Sequence, residues 1–440
     1  MATKSDLTYA AAARDLVAPF VAADLFAGSV LVAKAGEILL RDGFGLADRE
    51  WNVPNGPTGK FRIGSLTKQF TATAILQLME RGKLALEDPV ARHCPEAPDH
   101  WRAVTLLHLL THSSGIPSYT SLPAFFRDMA QQDRSPREII ALTERAPLDF
   151  EPGTQFKYNN GAFIILGLIV ERLSGLSYED YLRQNILLPL GLASTGYEHL
   201  ADIVPERVRG YRYRRGGMEN APYLAMSLPY AAGSIYSTVD DLLAWQRALT
   251  AARPISPSSV ELMFADHGHG YGFGWGIQNQ FARRQFVHAG GINGFSTVLS
   301  HYPDEDLTII LLANIQASPV QKIARDLAAL HFGVAEHEPD VVLDAALLAD
   351  YVGTYRLGPE RILRVTQEGA RLFIEGEDLS RQELAAKDDH SFLCRMLDFE
   401  VRFEADGVEQ ASRLLIRRNG KEAGAERIAS LSPLAERGLG

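Results

Sequence analysis

Phe61-Arg62-Ile63-Gly64-Ser65-Leu66-Thr67-Lys68 is the stretch around which the rest of this 440-residue chain organises itself. A run rich in Pro, Gly and Asn, residues 52–59, leads into it. After Ser65 the pattern turns helical, with Ala72, Ile75, Leu76 and Met79 recurring on one face at spacings of three and four. Gly82 supplies a stop. Ser65 and Lys68, three residues apart, share a face of this helix. They sit at its N-terminal end, where partial positive charge gathers. A lysine held there out of water has a lowered pKa and can take the serine proton. Ser-x-x-Lys occurs once in the chain, but Ser and Lys are common residues. Taken alone, a surface Ser and Lys at a helix start is the better reading of the tetrapeptide.

Upstream, an amphipathic helix is expected near residues 8–22. Two strands follow, Gly28–Ala33 and Ile38–Gly45, joined as a hairpin by Lys34-Ala35-Gly36-Glu37. Downstream, residues 85–250 read mainly as helix and loop, with helices at Leu106–Thr111, Pro136–Glu144, Ala162–Leu173, Tyr178–Leu187 and Asp240–Leu249. Strand character returns at Gly274–Gln278, Gln285–His288, Ser296–His301 and Leu307–Leu312, before a helix at Val320–Leu330. Strands near both ends with helices between them predict an α+β fold, in which one antiparallel sheet is built from both parts of the chain and carries a helical insertion.

Val334–Asp340 is polar, contains Pro339, and reads as a linker. Beyond it Leu363–Gln367, Arg371–Glu375, Phe399–Glu404 and Arg413–Arg417 alternate apolar and polar residues. Turn signals at Glu368-Gly369, Asp406-Gly407 and Asn419-Gly420 separate them. The expected domains are therefore residues 1–335 and a small all-β barrel, residues 341–440.

Apolar residues make up 46% and charged residues 22% of the chain, the mix of a globular protein. With 54 acidic against 44 basic side chains and a net charge of -10, nucleic acid is not an expected partner. Cys94 and Cys394 offer neither a disulfide framework nor metal-type spacing. No basic segment followed by a long apolar run opens the chain, and no apolar run is long enough to span a membrane. A cytoplasmic location is the default expectation, and a periplasmic or secreted one holds if a leader was removed. A homo-oligomer is left open.

Two further motifs carry chemistry. Tyr158-Asn159-Asn160 is the one Tyr-x-Asn in the chain: a tyrosine shuttles protons where nearby cations lower its pKa, and an amide two residues on can bind a substrate amide and the lysine. Its bland reading is an Asn-Asn-Gly turn. In His288-Ala289-Gly290-Gly291, small residues after a polar head let a substrate backbone lie along a strand, and the histidine can donate to a substrate carboxylate or to Tyr158. Its bland reading is a strand end with a Gly-Gly turn. Tyr119 and Tyr230 fall in loop-like stretches and are expected at the substrate cleft. His267-Gly268-His269 lacks a third metal ligand and reads as a loop. His112 reads as a structural, hydrogen-bonded histidine. No Gly-x-Ser-x-Gly elbow, Gly-x-Gly-x-x-Gly or P-loop occurs, so neither an α/β-hydrolase nor a nucleotide cofactor is indicated.

In order, Ser65-Leu66-Thr67-Lys68, Tyr158-Asn159-Asn160 and His288-Ala289-Gly290 resemble the three motifs of the serine β-lactamase and DD-peptidase (penicillin-binding protein-like) superfamily. The chain looks most like the class C-like branch, which includes family VIII esterases and D-aminopeptidase-like enzymes. The similarity spans roughly residues 15–330. It extends to Leu109-Leu110-Thr111-His112-Ser113-Ser114-Gly115, and to Gly191–Tyr197, Ala232–Trp245 and Tyr271–Trp275. The resemblance implies Ser65 as nucleophile, Lys68 as its base, Tyr158 as second proton carrier and Asn160 as binder of the substrate amide. It implies an oxyanion hole from the N–H groups of Ser65 and Gly291, with no metal or organic cofactor. The implied activity is hydrolysis of a small ester or short peptide through an acyl-enzyme, as a carboxylesterase or D-amino-acid peptidase. The alternatives are a β-lactamase, an acyltransferase or transpeptidase, and a silent penicillin-binding scaffold. Class C β-lactamases carry Lys-Thr-Gly where this chain has His288-Ala289-Gly290, which implies weaker attraction for a β-lactam carboxylate. The C-terminal region resembles lipocalin-like accessory barrels.

Overall fold

The computed structural model describes residues 4–123, 125–334, 341–359, 361–404, 410–418 and 420–428. The expected linker residues 335–340 and the turn signals at Asp406-Gly407 and Asn419 lie outside the described residues. Two compact units emerge: residues 1–211 with 220–334, and residues 212–219 with 335–440.

The first unit is built on a six-stranded antiparallel sheet. Its strands are β1 (Gly28–Lys34), β2 (Glu37–Phe44), β3 (Gly276–Gln280), β4 (Arg283–Ile292), β5 (Phe295–Tyr302) and β6 (Leu307–Ala313), in the order β3-β4-β5-β6-β1-β2. The two chain ends meet at the β1–β6 pair, where Val30 faces Leu311. This position explains the unbroken apolar run of β6, whose residues are all buried, since a central strand covered on both faces has no need to alternate. The β1–β2 turn places Ala35 at φ 47° and Gly36 at φ 87°, the positive pair that matches the twist of a tight hairpin. Helices α1 (Lys4–Ala22) and α2 (Val320–Phe332) pack together and on the sheet, and a third helix, Val239–Thr250, packs against β1 and β6. Helices and loops of residues 64–263 form the insertion expected from the sequence. No single helix among the described residues is long and apolar enough to cross a membrane.

The sequence pattern ended the strand at His288, but β4 runs on through Ile292. The reason is steric. A Cβ on Gly290 would lie 2.1 Å from the carbonyl oxygen of Ile63 and 2.3 Å from Thr297 Oγ1. Glycine there lets β4 dock against the residues that precede Ser65. The chain turns later, at Gly294, where φ is +83°.

The second unit is a closed eight-stranded antiparallel barrel that begins at Gly353–Leu357 and closes when that strand pairs with Lys421–Ile428. Alternating residues such as Leu363, Val365, Leu372, Ile374, Val401 and Phe403 fill its interior. The sequence did not signal that residues 212–219, far upstream, group with this unit.

Gly290 and Gly291 should separate cleanly on mutation. Gly290→Ala is expected to cost about 1–3 kcal/mol by forcing β4 off the Ile63 carbonyl. Gly291→Ala, with nothing within 4 Å of the added carbon, should change stability by no more than about 0.5 kcal/mol. Urea unfolding of the two variants checks this, and equal midpoints would contradict the packing described.

Candidate active site

The site begins with a short strand, Phe61–Arg62, pinned to Ile235–Ser237. Gly64 follows at φ +53°, a backbone in which a side chain is strained. The chain then makes a 3₁₀ turn, Gly64–Leu66, and enters the helix Thr67–Glu80. This helix is buried on every side from Thr67 to Leu78, not on one face as its apolar spacing suggested. Its polar residues are paired inside. Thr71 donates to the Ala231 carbonyl (2.6 Å), Gln69 accepts from the Trp245 indole (2.9 Å), and Thr67 accepts from the Ile235 N–H (3.2 Å).

Ser65 and Lys68 meet as expected, with Lys68 Nζ 3.0 Å from Ser65 Oγ. The amine is fully buried. Its other two neighbours are the Asn160 side-chain oxygen at 2.8 Å and the Ala232 carbonyl at 2.9 Å. Burial holds its pKa well below the usual 10.5, which favours the neutral amine. A neutral amine has two N–H groups and one lone pair. Both acceptors take an N–H, which leaves the lone pair toward Ser65, the one neighbour able to donate. The amide of Asn160 is oriented for this, because its NH₂ donates to Thr120 Oγ1 at 3.2 Å.

Asn159-Asn160-Gly161 is a helix start rather than a turn. Asn159 caps the helix Asn160–Ser174 by accepting from the Ala162 N–H. Tyr158 stands just before it, 38% exposed, with its ring centroid 4.9 Å from Lys68 Nζ. Burial pushes its phenol pKa well up, and the neighbouring Ser65 hydroxyl pulls only partly against that. This corrects the expectation of a cation-lowered tyrosine. The raised pKa keeps the proton on the phenol in the resting site.

Two further expectations are corrected, those for His288 and Tyr230, while Tyr119 is found at the cleft. His288 does not offer a hydrogen bond to a substrate. Its Nδ1 lies 2.8 Å from the Ala289 carbonyl, and its Nε2 lies 2.8 Å from the hydroxyl of Tyr271. The first contact requires N–H on Nδ1, so Nε2 accepts from Tyr271 and both nitrogens are used. Burial pushes its pKa down to about 3, which keeps it neutral. Tyr230 is turned into the core at 6% exposure, its ring where a Cβ on Gly167 would be. Its positive φ of 36° carries the chain into the short helix that presents the Ala232 carbonyl to Lys68. Tyr119 does line the cleft, but its hydroxyl is taken by the Leu228 carbonyl at 2.9 Å, so it contributes a wall and no polar contact.

Ser65, Asn160 and Gly291 open on a cleft of about 420 Å³. Its apolar side comes from Phe125, Phe126, Leu224, Leu228, Ile292 and Phe295. Asn293, Gln316 and Ser296 also line it, and no side chain among the described lining residues is charged. Gly291 lies close to the Ser65 turn, its nitrogen 3.1 Å from where a Cβ on Gly64 would be. Sequence reasoning missed Thr120, Tyr271 and the Ala232 carbonyl. Ala232 and Tyr271 had a signal, since they open the stretches Ala232–Trp245 and Tyr271–Trp275.

A family model described as Beta-lactamase matches residues 13–332. Penicillin-binding protein 4* of Bacillus subtilis (strain 168) is 31% identical over 434 residues, which cover 91% of this chain and 95% of that protein. D-aminopeptidase of Gluconobacter oxydans (strain 621H) is 28% identical over 325 residues, 71% of this chain and 60% of that protein. Among solved structures, the octameric penicillin-binding protein homologue from Pyrococcus abyssi matches with a TM-score of 0.69 at 25% identity, covering 94% of this chain and 99% of that one.

A lysine held neutral makes stability depend on pH with a definite sign. Between its lowered folded pKa and the ordinary 10.5, the unfolded chain binds a proton that the folded chain does not. Unfolding free energy should therefore rise with pH across that window, by up to about 1.4 kcal/mol per pH unit. Lys68→Met is expected to lose this slope and to be the more stable protein at pH 7. Urea unfolding of both proteins at several pH values checks it, and parallel pH dependences would show that Lys68 is not held neutral.

Proposed function

The chain belongs to the beta-lactamase family, and from that premise we propose that it is a serine hydrolase that cleaves esters or amides through an acyl-enzyme on Ser65. The contact set of Lys68 carries this reading: a dry amine with Ser65 Oγ, the Asn160 side-chain oxygen and the Ala232 carbonyl all within 3.0 Å of its Nζ. Lys68 takes the proton as Ser65 Oγ attacks the substrate carbonyl carbon. The oxyanion that forms is held by the backbone N–H groups of Ser65 and Gly291. The Tyr158 phenol protonates the leaving oxygen or nitrogen and recovers its proton from the Lys68 ammonium. In the second half, Lys68 deprotonates the water that releases the acid.

The uncharged lining supports substrates that carry no carboxylate beside the scissile bond, with an apolar group against Phe126 and Ile292. A carboxylate entering this cleft would be stripped of water with no cation to meet it, a cost of several kcal/mol. Simple esters and amides of the carboxylesterase or D-amino-acid amide type therefore fit better than D-Ala-terminated peptides or β-lactams. The name of the D-aminopeptidase relative supports the amide side of this range. The Pyrococcus abyssi homologue is described as octameric, which supports a homo-oligomer here.

Intact mass spectrometry with a p-nitrophenyl butyrate, a D-amino-acid amide, a D-Ala-D-Ala peptide and a penicillin tests the chemistry. The expected adduct maps to Ser65, forms fastest with the ester and the amide, which carry no carboxylate, and is absent in Ser65→Ala. Undiminished ester turnover by that variant removes Ser65 from the mechanism, and faster acylation by the carboxylate-bearing pair removes the carboxylate-free reading. Light scattering after gel filtration should give a mass above that of one chain, and a monomer at all concentrations would exclude the assembly.

A further inference from the structure

His112 has a backbone that its residue type rarely adopts. Its φ is +56°, in the left-handed region, and the residue is fully buried. Strain of this kind persists where the surroundings enforce it, and such sites are often functional. What His112 does with that backbone is specific. Its carbonyl accepts the Lys157 N–H at 2.9 Å, and its ring Nδ1 accepts the Asn159 N–H at 3.1 Å. Those two donors belong to the residues on either side of Tyr158. The imidazole face also lies against the Tyr158 ring, with centroids 4.4 Å apart and planes at 43°. On its other sides the imidazole meets Phe163 (5.3 Å) and Tyr271 (4.8 Å).

Tyr158 needs such a hold. It belongs to no helix or strand and is more than a third exposed. The segment before it runs alongside residues 113–116 through further bonds, Gly153 N–H to the Ser113 carbonyl and Asp149 N–H to the Gly115 carbonyl. Asn159 also donates from its side chain to the Ile116 carbonyl.

We infer that His112 is a positioning residue for Tyr158, holding the residues before and after it so that the phenol stays over Ser65 and Lys68. This rests on the role of Tyr158 proposed above, and goes beyond it by assigning a function to a side chain that touches neither substrate nor reacting atoms. The ring nitrogen is the replaceable half of the clamp. Because Nδ1 accepts a hydrogen bond, the proton of this neutral imidazole sits on Nε2.

Two variants isolate that nitrogen, since both suit a positive φ. His112→Gly removes the acceptor. His112→Asn places Oδ1 where Nδ1 was. Ester turnover by His112→Gly should fall about 100-fold in kcat, the scale of an ångström-sized misplacement, with KM changed by no more than about threefold. His112→Asn should recover most of the lost kcat. Wild-type kcat in His112→Gly, or equal losses in the two variants, would overturn the clamp.

¹⁵N NMR of the wild-type ring needs no mutant, with His112→Asn assigning the resonances. Nδ1 should be bare and Nε2 protonated, and the opposite tautomer would also overturn it. Tyr158→Phe, run alongside, keeps the two ideas apart. Full turnover there would sink the role of Tyr158 itself, whereas loss there beside an unaffected His112→Gly would sink the clamp alone.

Discussion

The structure around the cleft depends on keeping one amine dry. Lys68 sits in a helix buried on every side, and an ammonium there would lack the water that normally solvates it. Burying an unpaired charge costs several kcal/mol, which favours the amine without its proton. The same burial that weakens the lysine as a cation makes it a base at neutral pH. Its neighbours are matched to the neutral form: two oxygen acceptors and one hydroxyl, with no carboxylate among its three partners.

Holding those neighbours in place requires backbone of an unusual kind. Gly64, His112 and Tyr230 all have positive φ, at 53°, 56° and 36°, and each delivers a different part of the site. Gly64 begins the turn that carries Ser65. Tyr230 begins the short helix that carries the Ala232 carbonyl, and His112 holds the residues on either side of Tyr158. Two of the three are not glycine. The strain is tolerated because packing fixes each on several sides: the Tyr230 ring against Gly167, the His112 ring among Phe163, Tyr158 and Tyr271.

This separates what the sequence made legible from what it hid. Ser65 and Lys68 were readable because a helix fixes the geometry of residues three apart. Tyr158 and His288 came into view through their order along the chain. The role of His288 was misjudged because its hydrogen bonds go to its own strand's carbonyl and to Tyr271, and neither partner has a spacing rule. The inward polar face of Thr67–Glu80 misled for a related reason. Thr and Gln read as solvent-facing until Trp245 and the Ala231 carbonyl are known to be opposite. Ala232 opens the stretch Ala232–Trp245, but the contact of its carbonyl with Lys68 leaves no mark in a sequence. The β4 extension was hidden by its own glycines, which suggest a turn unless the close approach of Ile63 is seen. In the barrel, alternation along each strand was sufficient to expose the fold.

The neutral lysine and the uncharged cleft express one constraint. A carboxylate bound near Ser65 would favour the charged form of Lys68, as any nearby negative charge does, and so raise the pKa that burial has lowered. The base would then be protonated by its own substrate. An enzyme that binds such a carboxylate needs a second, fixed cation to absorb that field. Here His288 occupies the corresponding position, neutral and with both nitrogens engaged, and the described cleft lining offers no other charge. On the proposed reading, excluding anions and keeping the base ready go together, because the described lining of the cleft carries no charge.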